Sequence, residues 1–161
     1  MENARNTQKS EASVAVEAAP IFTHGKLPKR QNTVTAEVLS RLLNHERLTG
    51  LNAVWDASTT RLADVVWRLH KTHAWNVSSE DKVTGCNDGR VTTVSEYFLI
   101  PGIIESAMTN GADGWCSGVR VARAKLRAKA VEAKRKAAAL NAARRRHSHP
   151  GQLGLFNAGG M

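Results

Sequence analysis

Ser58-Thr59-Thr60-Arg61-Leu62-Ala63-Asp64-Val65-Val66-Trp67-Arg68-Leu69-His70-Lys71-Thr72-His73 is the stretch whose reading decides the fold. Leu62, Val65, Val66 and Leu69 recur at helical spacing and form one apolar stripe. Ser58 is expected to cap the helix. Thr59, Thr60, Arg61, Asp64, Arg68 and Lys71 lie off the stripe, small polar and charged side chains along and before the helix tip. Side chains of these kinds suit a major groove. Arg61 or Arg68 can pair with guanine, Asp64 can accept from cytosine, and the threonines can meet a phosphate or a thymine methyl. Trp67 has two readings, as a surface residue or as one packed under the segment that follows.

Upstream, the pattern predicts two more short helices. Asn32 or Thr33 can cap the first, in which Val34, Val38, Leu39, Leu42 and Leu43 share a face. Asn44-His45-Glu46 turns the chain. Thr49 is a second cap candidate, before a helix that carries Leu51, Val54 and Trp55. Asp56 and Ala57 make the tight turn into the third helix, as a helix-turn-helix requires. Downstream, Trp75, Val77 and Ser79 alternate with polar residues, and Val91 to Leu99 is rich in β-branched and aromatic residues. Between them Thr84-Gly85 and Asn87-Asp88-Gly89 carry turn chemistry. This predicts a two-stranded hairpin whose tip runs from Glu80 to Arg90, with Lys82 and Arg90 flanking it.

Three helices followed by a hairpin is the order of a winged helix-turn-helix. The block also resembles a family of small winged helix-turn-helix proteins common in phages and prophages. The resemblance rests on Arg47-Leu48-Thr49-Gly50-Leu51, Ser58-Thr59-Thr60-Arg61-Leu62, the strand led by Trp75, Asp88-Gly89-Arg90-Val91 and Ser95-Glu96-Tyr97. It covers about 67 residues, under half of the chain. It implies that the third helix is the recognition helix and that the hairpin is the wing. A winged helix can also bind protein alone, and charge makes that alternative serious. Residues 33–99 hold seven basic and eight acidic side chains, net −1.

Charge is concentrated elsewhere. The chain of 161 residues has a net charge of +9 and a pI near 10.2, which points to a polyanionic partner. Residues 1–32 carry five basic and three acidic side chains, net +2. Residues 100–161 carry eleven basic and three acidic, net +8. After a short helix that begins at Pro101 and stops at Asn110-Gly111, one long helix is expected over residues 111–147, dominated by alanine, lysine and arginine. From Trp115 to Arg146 it would span roughly 48 Å at 1.5 Å per residue. Its stripe of Trp115, Val119, Ala122, Leu126, Ala133, Ala137 and Leu140 thins into alanine, so its first turns are expected to dock and the rest to project into water. Arg120, Arg123, Lys125, Arg127, Lys129, Lys134, Arg135, Lys136, Arg144, Arg145 and Arg146 face only Glu132 and are expected to contact phosphates of double-stranded DNA without sequence choice. Like charges along this helix oppose pairing with a second copy unless nucleic acid screens them.

The ends carry two further signals. Residues 1–31 read as a disordered arm, polar and alanine-rich, in which Lys26, Lys29 and Arg30 form a short basic run able to lie along phosphates. Residues 148–161 read as a flexible tail. There Gln152-Leu153-Gly154-Leu155-Phe156 resembles the pentapeptide by which bacterial polymerases and repair proteins bind the replication sliding clamp. The resemblance implies that Leu153, Leu155 and Phe156 enter an apolar groove while Gln152 sets the register; they could instead fold back on the chain's own core.

Other classes find little support. His70 and His73 sit three apart with no third ligand in view, and Asp56, Asp64, Glu80, Asp81 and Asp88 form no acid–base or metal pattern. No cofactor is implied and the chain does not read as an enzyme. No run of about 20 apolar residues is present to cross a membrane. Met1 to Ala19 lacks the pattern of a signal peptide, and Cys86 and Cys116 read as reduced thiols in a bacterial cytoplasm. The expectation is a mainly α, phage-type DNA-binding regulator of transcription or replication. The alternative is a protein-interaction module that acts on host replication through the clamp.

Overall fold

Thr33 starts the first helix. Its hydroxyl accepts from the Ala36 N–H at 3.2 Å, and α1 (Val34–Leu43) follows. In the computed structural model, which describes residues 22–147, the chain then runs through β1 (Leu48–Thr49), α2 (Gly50–Ala57) and α3 (Leu62–His73). Next come β2 (Ser78–Gly85), β3 (Val91–Phe98), α4 (Pro101–Thr109), α5 (Ala112–Arg127) and α6 (Ala130–His147). The architecture is mainly helical with a small antiparallel sheet in the order β1-β3-β2.

Val38, Leu39, Leu42 and Leu43 of α1 are fully buried. Around them pack Leu48, Ala53 and Ala57, then Leu62, Val65 and Leu69 of α3, then Trp75 and Leu99, and finally Ile103 and Ile104 of α4 and Cys116 of α5. Pro101 occupies the first turn of α4, where its missing N–H costs no helical bond.

Several expectations need correction. Ser58 does not cap α3. It is the C-cap of α2, in the left-handed region at φ 59°, and Arg61 stands at the N-cap of α3 without a side-chain cap bond. The hydroxyl of Thr59 accepts the Arg61 N–H at 3.1 Å, so the short polar residues build the turn itself. The sheet has three strands, because Leu48 and Thr49 pair with Tyr97 and Glu96. Strand pairing runs out to Gly85 opposite Val91, which leaves a tip of Cys86 to Arg90. Gly89, at φ 83°, supplies the left-handed turn residue there. The long helix is divided at Ala128 and Lys129, where the Lys129 N–H reaches Leu126 O in a tighter turn. Leu126 is exposed although it belongs to the expected stripe, and Trp67 is exposed rather than packed under the hairpin.

A further correction concerns the N-terminal arm. Its last ten residues, 22–31, are a strap laid against the core. The Lys26 N–H donates to His73 O at 2.7 Å. The indole N–H of Trp75 donates to Lys26 O, and that of Trp115 to Pro28 O, each at 3.0 Å. Close packing of the strap leaves no room for a side chain at Gly25. A Cβ on Gly25 would collide with His73 O and the Trp75 ring, while one on Gly118 of α5 would meet only the Gln31 amide, which can move aside.

Candidate nucleic-acid interface

α2 ends at Ala57 and α3 starts at Leu62, so Ser58 to Arg61 alone join them. Thr49 and Asn52 close a reciprocal capping box at the start of α2. These two helix starts face the hairpin across a cleft of about 620 Å³, lined by Thr60, Arg61, Lys82, Thr84, Tyr97 and the Thr49–Asn52 turn among others. Thr60 and Arg61 are exposed in this cleft, as a reading tip would need. Thr59 is half-buried, with its hydroxyl engaged by Arg61.

Ion pairs reduce the available charge. Asp64 holds Arg68 at 2.7 Å, one turn apart on the exposed face of α3. Lys82 donates to Glu96 at 2.6 Å, and Arg90 to Asp88 at 2.6 Å. Arg47 bridges Glu80 and Glu96 while stacking over the Phe98 ring at 4.2 Å. Hydrogen bonds from Lys82 and Arg47 hold the Glu96 carboxylate below its ordinary pKa. Lys71 is exposed and has no carboxylate partner among the described residues.

The basic helix divides into two kinds of residue. Arg123 is buried. It donates to Glu37 at 2.8 Å and to Ala57 O at 3.2 Å. Arg127 donates to the other oxygen of Glu37 at 2.7 Å and to Asp56 O at 3.0 Å. Arg41 also touches Glu37, at 3.3 Å. Burial opposes the charge on Glu37, but hydrogen bonds from Arg127 and Arg123, with their Coulomb attraction, win and lower its pKa. These two arginines therefore latch α5 to α1 and to the carbonyl end of α2, Arg123 from the interior and Arg127 with its side chain half exposed. The expectation that all eleven basic residues face only Glu132 is thus corrected for Arg123 and Arg127. A first-turn glutamate 86 positions upstream offered no local signal of this role.

Arg120, Lys125, Lys129, Lys134, Arg135, Lys136 and Arg144 are exposed. Arg145 is exposed too. Every described side chain of α6 except the half-buried Ala142 is exposed. The side chain of Arg146 and the tail residues Gln152, Leu153, Leu155 and Phe156 lie outside the described residues. Among the described residues no cluster of three metal-ligating side chains occurs and no helix is long and apolar enough to cross a membrane. No protein-family model, curated protein or solved structure matches the chain.

Proposed function

We propose that this chain is a phage-type winged helix-turn-helix protein that binds double-stranded DNA. In this reading α3 enters the major groove, the β2–β3 hairpin is the wing, and the exposed cations of α5 and α6 follow phosphates. One observation carries it. A four-residue turn joins α2 to α3, and a hairpin follows whose second strand lies between β1 and β2, so that helix tip and hairpin flank one open cleft. The role is regulation of transcription or of replication, without catalysis.

Fluorescence anisotropy with duplex DNA at two salt concentrations tests the reading. Six neutralised phosphates would make log K fall with log salt at a slope of about −5. Binding without any salt dependence would exclude it. Replacing Arg61 by alanine is expected to cost about 1–3 kcal/mol of discrimination at one base pair. An unchanged sequence preference would remove the tip of α3 as the reader.

A second reading is favoured by the sequence Gln152-Leu153-Gly154-Leu155-Phe156, which suits the groove of a bacterial sliding clamp. Replacing Leu155 and Phe156 together by alanine is expected to abolish retention of the full chain on immobilised clamp. Equal retention of variant and parent would sink the clamp role.

A further inference from the structure

A second cleft, of about 450 Å³, opens between the strap and the C-terminal half of α3. Lys26, Lys29, Arg30, Thr33, Arg68 and His73 line it, with Leu27 and Pro28 as its apolar floor. No carboxylate is among its lining residues. Arg68 of this cleft is paired with Asp64, and Arg41, Arg47, Lys82 and Arg90 of the head are likewise paired with acids. Lys26, Lys29 and Arg30 have no ion-pair partner among the described residues and are exposed.

The strap that carries them is fixed in place. Both indole N–H bonds, the Lys26-to-His73 backbone bond and the bond from the Thr33 hydroxyl to Arg30 O (3.2 Å) hold it from Lys26 to Arg30. Cations on a loose tail lose chain entropy when they dock; here that cost is met in the free protein. The first turn of α1 also borders the cleft through Thr33 and Thr35, and the N-terminal end of a helix favours an anion. Glu37, the acid of that turn, is turned inward to Arg123.

Position links this cleft to the one at the helix tip. Arg61 lines the first cleft and Arg68 the second. Arg61 is the N-cap of α3 and Arg68 follows seven residues on, so the α3 edge that runs between the two clefts is roughly 10 Å long. A nucleic-acid strand that follows this edge passes both clefts.

We infer that the strap is a preformed phosphate-contacting edge that seats the sugar–phosphate backbone of duplex DNA beside the C-terminal half of α3. This rests on the DNA-binding reading above and adds a site to it. The ligand chemistry is a phosphate diester, and the backbone of DNA is its source.

The test uses the full chain and its triple variant Lys26→Gln, Lys29→Gln, Arg30→Gln, with anisotropy measured on one duplex between about 50 and 200 mM salt. Each phosphate contact contributes about 0.9 to the slope, so the variant is expected to lose about 2 to 3 from it. Its melting temperature should match the parent's, since the three side chains are exposed. A parent that binds with salt dependence and a variant with the same slope would overturn the strap site and leave the DNA-binding reading standing. A parent without salt-dependent binding would overturn both. Calorimetric titration with inorganic phosphate at constant ionic strength identifies the source. No saturable heat is expected, and saturable binding lost in the triple variant would assign the cleft to a free anion and overturn the inference.

Discussion

Glu37 receives three guanidinium groups, from Arg41, Arg123 and Arg127, and is itself almost fully buried. Removing its charge leaves Arg123 buried beside no anion, a change that typically costs about 3 to 5 kcal/mol. Glu37→Gln is therefore expected to lower the melting temperature strongly, which circular dichroism would measure. The same residue fixes the acid response. Its folded pKa lies below that of the unfolded chain, so the stabilisation is complete above the ordinary glutamate range near about 4.3 and is lost as pH falls through the folded value. Glu96, also lowered, adds in the same direction. Melting temperature should drop in acid below that range, and the drop should be shallower in Glu37→Gln because one of the two groups is gone. A variant as steep as the parent would remove Glu37 as the source.

At the scale of elements, α6 is a helix with little to hold it besides its own propensity. Its alanine, lysine and arginine favour helix, but 18 residues without a buried face are marginal in water. A chain ended after Lys129 keeps the Arg123 and Arg127 latch. Its head is expected to melt within a few degrees of the full chain, as surface changes do, while the salt slope of DNA binding falls. A large loss of head stability in that chain would mean that α6 packs where its exposure says it does not. The other helices were legible because Leu39, Leu42, Val65 and Leu69 sit at a regular period, and period is a local property. Ser58 misled because a short polar residue suits the end of one helix as well as the start of the next, and its left-handed backbone decided for the end. β1 was missed since two residues, Leu48 and Thr49, carry no alternation. A third helix with a hairpin after it was legible in sequence; the cap of that helix, the extent of the hairpin and the strap were not. Gly25, Trp75 and Trp115 encode the strap only jointly, and nothing in their spacing joins them.

For the whole molecule, charge and shape do not divide at the same place. The segment 33–99 has net −1, and the strap adds Lys26, Lys29 and Arg30 without an acid, giving +2 over residues 22–99. The head, net −1 without the strap, thereby gains a positive edge beside α3. Arg123 moves the opposite way, from the basic surface into the interior, and Arg127 is drawn onto Glu37 at its edge. The anchors of strap and latch have a further consequence, for the order of folding. Trp115 reaches Pro28 across 87 positions and Arg123 reaches Glu37 across 86. Closing loops of that length is slow and gives no return until both ends have met. α1 to α3 join through much shorter loops, so they can assemble first, and the strap and the arginine latch then close over a nucleus already in place. Bonds made after the transition state act on the rate of unfolding. The two tryptophan N–H groups and the Glu37 cluster thus serve as a late clasp, which sets how long the finished head stays folded more than how fast it forms.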